Sequence, residues 1–184
     1  PNRFLPSLRR HLGSLVNALG TVEGVPITAF LKIAYALEQN ARPLDISAHP
    51  ARDGQGILWY APLLPFTPQA VRRYREIMGE VLARHGFDPL LAVTSRSPRV
   101  LSATIPLLFD PANPEDVARA KLCYRDLVST GLRRGWPPYR LGVDYMDLIG
   151  AEEGSDQSDL HQRLKAALDP NNIIAPGRYS GGRH

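Results

Sequence analysis

Three observations put this 184-residue chain in the α+β class. Two helical periodicities, each opened by a proline, lie between short apolar or alternating segments of strand character. From residue 57 the order of elements is strand, helix, strand, strand, helix, strand. A stretch rich in Pro, Asp, Gly and Ser, Pro43 to Gly56, separates this series from what precedes it. The order is that of a split βαβ, ferredoxin-like sandwich: an antiparallel sheet with helices on one face, here with N-terminal helices and a C-terminal helical tail. The expected division is a helical lead-in over 1–50, a ferredoxin-like domain over 51–150, and a helix and tail over 151–184.

In the lead-in, Leu5, Leu8, Leu12, Leu15, Val16 and Leu19 recur at 3.6-residue spacing and Gly20 supplies a stop. A second helix is predicted from Thr28 to about Asn40. Ile57-Leu58-Trp59-Tyr60-Ala61 reads as a buried strand ended by Pro62. Thr67 is an N-cap with Pro68 at the first helical position. Val71, Tyr74, Met78, Val81, Leu82 and His85 line one face of that helix, and Gly86 ends it. His85 is read as structural, since a cation is favoured at a helix C-terminus. Leu90 to Thr94 and Val100 to Phe109 are strands joined by a turn at Ser97-Pro98. Asn113-Pro114 opens the second helix, with Asp116 completing a capping box, and the helix ends near Gly135. Tyr139 to Tyr145 is the last predicted strand. Leu160, Leu164 and Leu168 mark a short final helix, and Asp169-Pro170-Asn171 an ordered turn after it.

Composition narrows the function classes. No apolar run approaches the roughly 20 residues of a membrane helix, because Lys32, Glu38 and many prolines interrupt every candidate. A soluble protein without membrane association is expected. No basic-then-apolar targeting signal is visible, so the compartment, cytoplasmic or periplasmic, stays open. The opening Pro1-Asn2-Arg3 reads as the interior of a longer chain. Basic residues occur as scattered pairs such as Arg72-Arg73 and Arg133-Arg134, without the aromatic-and-basic strands of an RNA-binding sandwich, so a nucleic-acid partner is not expected. The five histidines are widely spaced and Cys123 is the single cysteine, so no metal site is expected. Neither a nucleophile elbow nor a phosphate-cradling glycine loop is present. At Cys123 a buried thiol among Val117, Ala120, Tyr124 and Leu127 is the reading.

The chemistry-bearing feature is Gly135-Trp136-Pro137-Pro138-Tyr139-Arg140. A phenol hydroxyl beside a guanidinium offers a hydrogen-bond donor and a fixed cation. Neighbours on a strand face opposite ways unless a bend intervenes, and a surface Tyr and Arg is the ordinary reading of a bare dipeptide. Three stretches change this: Gly56-Ile57-Leu58-Trp59-Tyr60-Ala61-Pro62, Gly135-Trp136 to Tyr139-Arg140, and Leu168-Asp169-Pro170-Asn171-Asn172-Ile173-Ile174-Ala175-Pro176-Gly177. In order and spacing they resemble the C-terminal, substrate-covering half of the vanillyl-alcohol oxidase and 4-cresol dehydrogenase family of FAD-linked oxidoreductases.

That resemblance implies an enzyme part rather than a complete enzyme, working with an N-terminal FAD-binding domain or subunit that this chain lacks. It implies oxidation of para-substituted phenols by hydride transfer to flavin, through a quinone methide that water attacks. Tyr139 and Arg140 would be the catalytic pair that holds the substrate as phenolate. A free phenol has a pKa of about 10, and an adjacent guanidinium favours its anion. Trp59, Tyr60, Asn172 and Arg178 are the implied cofactor-binding positions, with a core role open for Trp59 and Tyr60. Where some relatives attach FAD through a histidine, this chain has Ile57, which has no nucleophile, so FAD is expected to be noncovalent there. Oxygen or a cytochrome as electron acceptor, and homo-oligomerisation, are both compatible. Two other readings stay open: an FAD-linked 2-hydroxy-acid dehydrogenase domain, which shares the tail motif, and a noncatalytic binding or assembly module on the same sandwich.

Overall fold

The computed structural model describes residues 28–37, 48–149 and 156–176, with positions 12, 13, 16, 19, 24 and 178. The chain divides into two compact units, residues 1–57 with 108–117, and residues 58–107 with 118–184. Of the first predicted helix, Leu12, Gly13, Val16 and Leu19 are helical, and its other residues lie outside the described ones.

In the first unit the helix predicted from Thr28 is instead a 3-10 segment, Thr28–Ile33, followed by turns to Leu37. Residues 38–40 lie outside the described ones. Bonds of i to i+3 type continue past it, as in Ala34 N–H to Leu31 O at 3.0 Å. Tyr35 is buried at this point, and its hydroxyl donates to Asp53 Oδ2 at 2.6 Å. The same carboxylate accepts from His49 N–H at 3.0 Å and Arg52 Nε at 3.2 Å. The Tyr35 bond first, then the His49 N–H, holds Asp53 well below the usual carboxylate range, at about 2.

Four strands form one antiparallel sheet: β1 (Gly56–Tyr60), β2 (Leu63–Pro65), β3 (Ala92–Ser97) and β4 (Val100–Phe109). β4 is central. β2 pairs with it through Leu63 to Ser102 and Pro65 to Val100, and β3 pairs with it through Thr94 to Ser102 and Ser95 to Leu101. Because both reach the same residues of β4, they occupy its two opposite edges, and β1 precedes β2 on the edge away from β3. The strand predicted at Leu90 begins two residues later, whereas β4 has the predicted bounds.

The helices α1 (Pro68–Arg84) and α2 (Pro114–Leu132) are built by the same devices. Thr67 Oγ1 accepts from Ala70 N–H at 3.2 Å, and Asn113 Oδ1 accepts from Glu115 N–H at 3.0 Å. Asp116 departs from the predicted capping box: its carboxylate accepts from Asp110 N–H, while Asn113 N–H donates to Asp110 O. Both helices end in the same paired closure. Phe87 N–H reaches Leu82 O and Gly86 N–H reaches Ala83 O; Trp136 N–H reaches Gly131 O and Gly135 N–H reaches Leu132 O. Each closure needs a left-handed residue, and Gly86 and Gly135 supply it at φ of +68° and +72°.

Leu101, Ala103, Ile105 and Leu107 alternate along β4 into a core with Tyr60 from β1, Tyr74, Met78, Val81 and Leu82 from α1, and Cys123, Tyr124, Leu127 and Val128 from α2. Cys123 is the buried thiol expected, and burial pushes its pKa up to about 12. His85 Nε2 lies 2.8 Å from Asp126 Oδ2, tying the end of α1 to α2, which fits its structural reading.

The strand predicted over Tyr139 to Tyr145 is not formed. A single antiparallel bridge pairs Pro138 with Pro62, flanked by Leu63 N–H to Pro137 O at 2.9 Å and Tyr139 N–H to Ala61 O at 3.2 Å. Pro137 and Pro138 have no N–H, so this run can supply only one ladder donor before the chain bends. Residues Val143–Leu148 then close into a 3-10 helix. The bridge still falls where the last strand belongs: across the sheet the order is residues 137–139, β1 and β2, β4, β3, or last, first, third, second. The α+β sandwich is therefore present with its final strand reduced to a bridge. The tail helix α3 spans Asp156–Leu168.

Candidate functional site

The helix closure at Gly135 starts the segment that presents Tyr139. Trp136, 5% exposed, is buried edge-on against Tyr74 with ring centroids 5.4 Å apart. Leu141 and Tyr145 are also buried, the latter against Tyr124 at 4.3 Å. Between these anchors the chain pairs with Ala61 to Leu63, bends at residue 139, and leaves Tyr139 41% exposed with Arg140 exposed beside it. The bend answers the objection that strand neighbours face apart: the Arg140 guanidinium carbon lies 5.5 Å from the Tyr139 ring centroid.

A second cation meets the same ring. Arg96 Cζ lies 5.2 Å from the Tyr139 centroid. Sequence reasoning did not single out Arg96, and the reason is structural. In the β3–β4 ladder Ser95 pairs with Leu101 and Ser97 with Val100, so Arg96 is the extra residue of a bulge. A bulge redirects the side chain it carries, and it depends on pairing with β4, which Thr94-Ser95-Arg96-Ser97 does not encode locally. Among the described residues neither Arg96 nor Arg140 has a carboxylate partner.

The other predicted positions separate. Along β1, Tyr60 turns into the core at 0% exposure and Trp59 faces the other way at 46%. The Tyr60 ring meets Tyr124 edge-on, and its hydroxyl is buried with no hydrogen-bond partner. Gly131 makes that placement possible, because a Cβ built there would lie 1.9 Å from the Tyr60 oxygen. Burial drives the Tyr60 phenol far above its ordinary pKa of 10.0, so it stays neutral. These are properties of a core residue.

Asn172 and Arg178 belong to the turn after α3. Asp169, 7% exposed, organises it: Oδ1 accepts from Ile173 N–H and Oδ2 from Ile174 N–H, both at 2.8 Å, and Lys165 Nζ bonds the same carboxylate. The Lys165 bond first, with the two backbone donors, holds Asp169 below the usual carboxylate range. Asn172 adopts the left-handed conformation at φ 51°, its N–H on Asp169 O at 3.0 Å. Arg178 is exposed, with its N–H on Ala175 O. The predicted turn is thus a carboxylate-capped structure, and the structure joins Tyr139 and Arg140 with Arg96. Among the described residues no group of three or more metal-ligating side chains exists, and no helix is long and apolar enough to cross a membrane.

Comparison with known proteins agrees with this architecture. Residues 104–179 match the model of the FAD linked oxidases, C-terminal domain. The chain is 32% identical over 156 residues to 1'-carboxy-chondrochloren decarboxylase of Chondromyces crocatus, covering 85% of this chain and 28% of that protein. It is 32% identical over 127 residues to the 4-cresol dehydrogenase [hydroxylating] flavoprotein subunit of Pseudomonas putida, covering 69% of this chain and 24% of the relative. The solved 4-ethylphenol oxidase of Gulosibacter chungangensis, in complex with isoeugenol, superposes with a TM-score of 0.57 over 68% of this chain and 24% of its own, at 24% identity, a likeness of fold. The chain thus spans roughly a quarter of the length of the curated relatives it matches. On these matches and the sandwich described above, residues 104–179 carry a C-terminal domain of the FAD-linked oxidases, and the chain is similar to the 4-cresol dehydrogenase flavoprotein subunit.

Proposed function

We propose that this chain forms the substrate-binding side of an FAD-dependent oxidoreductase acting on para-substituted phenols, with Tyr139 and Arg140 holding the phenol as its anion. The observation that carries the reading is an exposed tyrosine with a guanidinium 5.5 Å from its ring centroid and without a carboxylate partner among the described residues, on a bend between two buried anchors. Tyr139 donates a hydrogen bond to the substrate oxygen, and Arg140 stabilises its negative charge as a permanent cation. An electron-rich phenolate releases hydride from its benzylic carbon to give a quinone methide, which water then attacks.

The family implies FAD, and the residues present suit it: an exposed indole at Trp59 and the cation at Arg140 fit a planar, anionic aromatic group. When bound, FAD supplies a two-electron acceptor. Trp59 is the contact kept from the sequence reading; Asn172 and Arg178 are kept as tail-side contacts, and Tyr60 is released to the core. Ile57 makes FAD noncovalent at that position, and an FAD-binding domain or subunit is the partner. A second reading has one observation in its favour: the relative from Chondromyces crocatus is named as a decarboxylase of a carboxy compound, so decarboxylation of a phenol bearing a carboxylate belongs beside hydroxylation and dehydrogenation.

The test is spectroscopic. The protein carrying this chain is loaded with FAD and mixed anaerobically with a 4-alkylphenol. Loss of the oxidised flavin absorbance is the expected result; bound flavin that no phenol bleaches would move the substrate elsewhere, and a protein that takes up no flavin would favour the noncatalytic module.

A further inference from the structure

We infer that Arg96 is a specificity residue that binds a second anionic group on the substrate, so that the preferred substrates are phenols bearing a carboxylate. The inference rests on the phenol reading above and goes beyond it. A phenolate brings one negative charge, and Arg140 beside Tyr139 matches it. The structure supplies a second guanidinium at the same ring, 5.2 Å from its centroid.

Two like charges drawn to one ring repel each other, and stacking on an exposed ring is only a weak attraction for each. Two other rings of the described chain each meet a single arginine, Tyr145 meeting Arg125 at 5.7 Å and Phe87 meeting Arg119. Arg119 lies over Phe87 and also donates through Nη1 to His85 O and Gly86 O. Lys165 meets Asp169, and Arg52 meets Asp53. Among the described residues Arg96 and Arg140 have ring contacts alone, and Arg96 sits at the bulge between Ser95 and Ser97. An arginine fork with unused donors next to a phenolate subsite matches a carboxylate, which accepts two parallel hydrogen bonds from it. Arg96 lies on an exposed strand, so a bound ligand can reach it without rearranging the core.

The probes are 4-hydroxyphenylacetate and 4-ethylphenol, which differ chiefly in a carboxylate. Their dissociation constants are measured calorimetrically on the FAD-loaded protein with its flavin already reduced, so that neither probe is turned over, for wild type, Arg96→Gln and Arg96→Lys. In wild type, 4-hydroxyphenylacetate is expected to bind more tightly. Loss of a charge-assisted pair shifts the ratio of the two constants by about tenfold or more against the carboxylate in Arg96→Gln, and Arg96→Lys restores part of it. A ratio that does not move, or equal weakening of both probes, would overturn the assignment and leave Arg96 as a ring-stacking residue. Tight binding of 4-ethylphenol with none of 4-hydroxyphenylacetate would overturn this inference and keep the phenol reading. Binding of neither probe to wild type would overturn both.

Discussion

Arg119 and Arg96 both lie over an aromatic ring, yet they belong to different kinds of region. Arg119, on α2, sits 4.4 Å from the Phe87 centroid and spends its donors on the two carbonyls that end α1, so its charge is compensated by the fold. Arg96, on the bulge of β3, sits 5.2 Å from the Tyr139 centroid and has no acceptor among the described residues; Arg140 shares both conditions. Burial rather than pairing separates Tyr60, sealed in the core against Gly131 with its hydroxyl unpartnered, from Tyr139, held at the surface between buried anchors. Where a group is satisfied by its own chain it supports the fold, and where it is left unsatisfied and exposed it is available to a ligand.

The comparison breaks most decisively at Arg140. Replacing it by Ala in the FAD-loaded protein is expected to lower phenol oxidation on the order of 10²-fold, while flavin content measured by absorbance changes little. Equal activity in variant and wild type would remove Arg140 from the site. Next in size is Gly131→Ala. The added methyl would lie 1.9 Å from the Tyr60 oxygen, and overpacking of this kind costs about 1–3 kcal/mol, read as a lower urea midpoint. Adding Tyr60→Phe should recover most of that loss, because the phenol oxygen has no partner to lose. A double variant no more stable than Gly131→Ala alone would show that the crowding lies elsewhere.

Smaller effects sharpen the contrast between the arginines. Arg119→Ala should lower stability by about 1–2 kcal/mol through its two lost carbonyl bonds, whereas Arg96→Gln should stay within about 0.5 kcal/mol of wild type. Comparable losses in denaturant titrations would dissolve the distinction. Tyr139→Phe should weaken phenolic inhibitors by about fivefold, the worth of one hydrogen bond, without altering the unfolding midpoint.

The smallest effect is a pH dependence in the satisfied class. Asp53 is held at about 2 against an ordinary 3.8, so the unfolded chain binds its proton first as pH falls. The stability this carboxylate contributes is complete above its unfolded value and is lost as pH falls from about 3.8 toward 2. Asp53→Asn should remove that slope from the acid limb of the unfolding curve; an unchanged slope would assign it to other carboxylates.

The helices were legible because their signals are local. Thr67-Pro68, Asn113-Pro114, Gly86 and Gly135 each act within one turn of backbone, and the structure uses all four as caps or closures. β4 was legible because alternation of Leu101, Ala103, Ile105 and Leu107 reports burial directly. The last strand failed where pairing overrode pattern: Pro137 and Pro138 allow one bridge and no ladder. Tyr139 and Arg140 stood out only by resemblance, since nothing local distinguishes them from a surface pair.

What the sequence determined by itself was the class of the sandwich, its helix boundaries and the presence of a tyrosine beside an arginine, all set by contacts between residues near in the chain. Tertiary structure alone decided that Tyr60 turns inward while Trp59 turns outward, that a bend brings Arg140 to the Tyr139 ring, and that a bulge delivers Arg96 to it from the opposite edge of β4. Those outcomes depend on strand register and on which group packs against Gly131, and both are fixed only when distant segments meet.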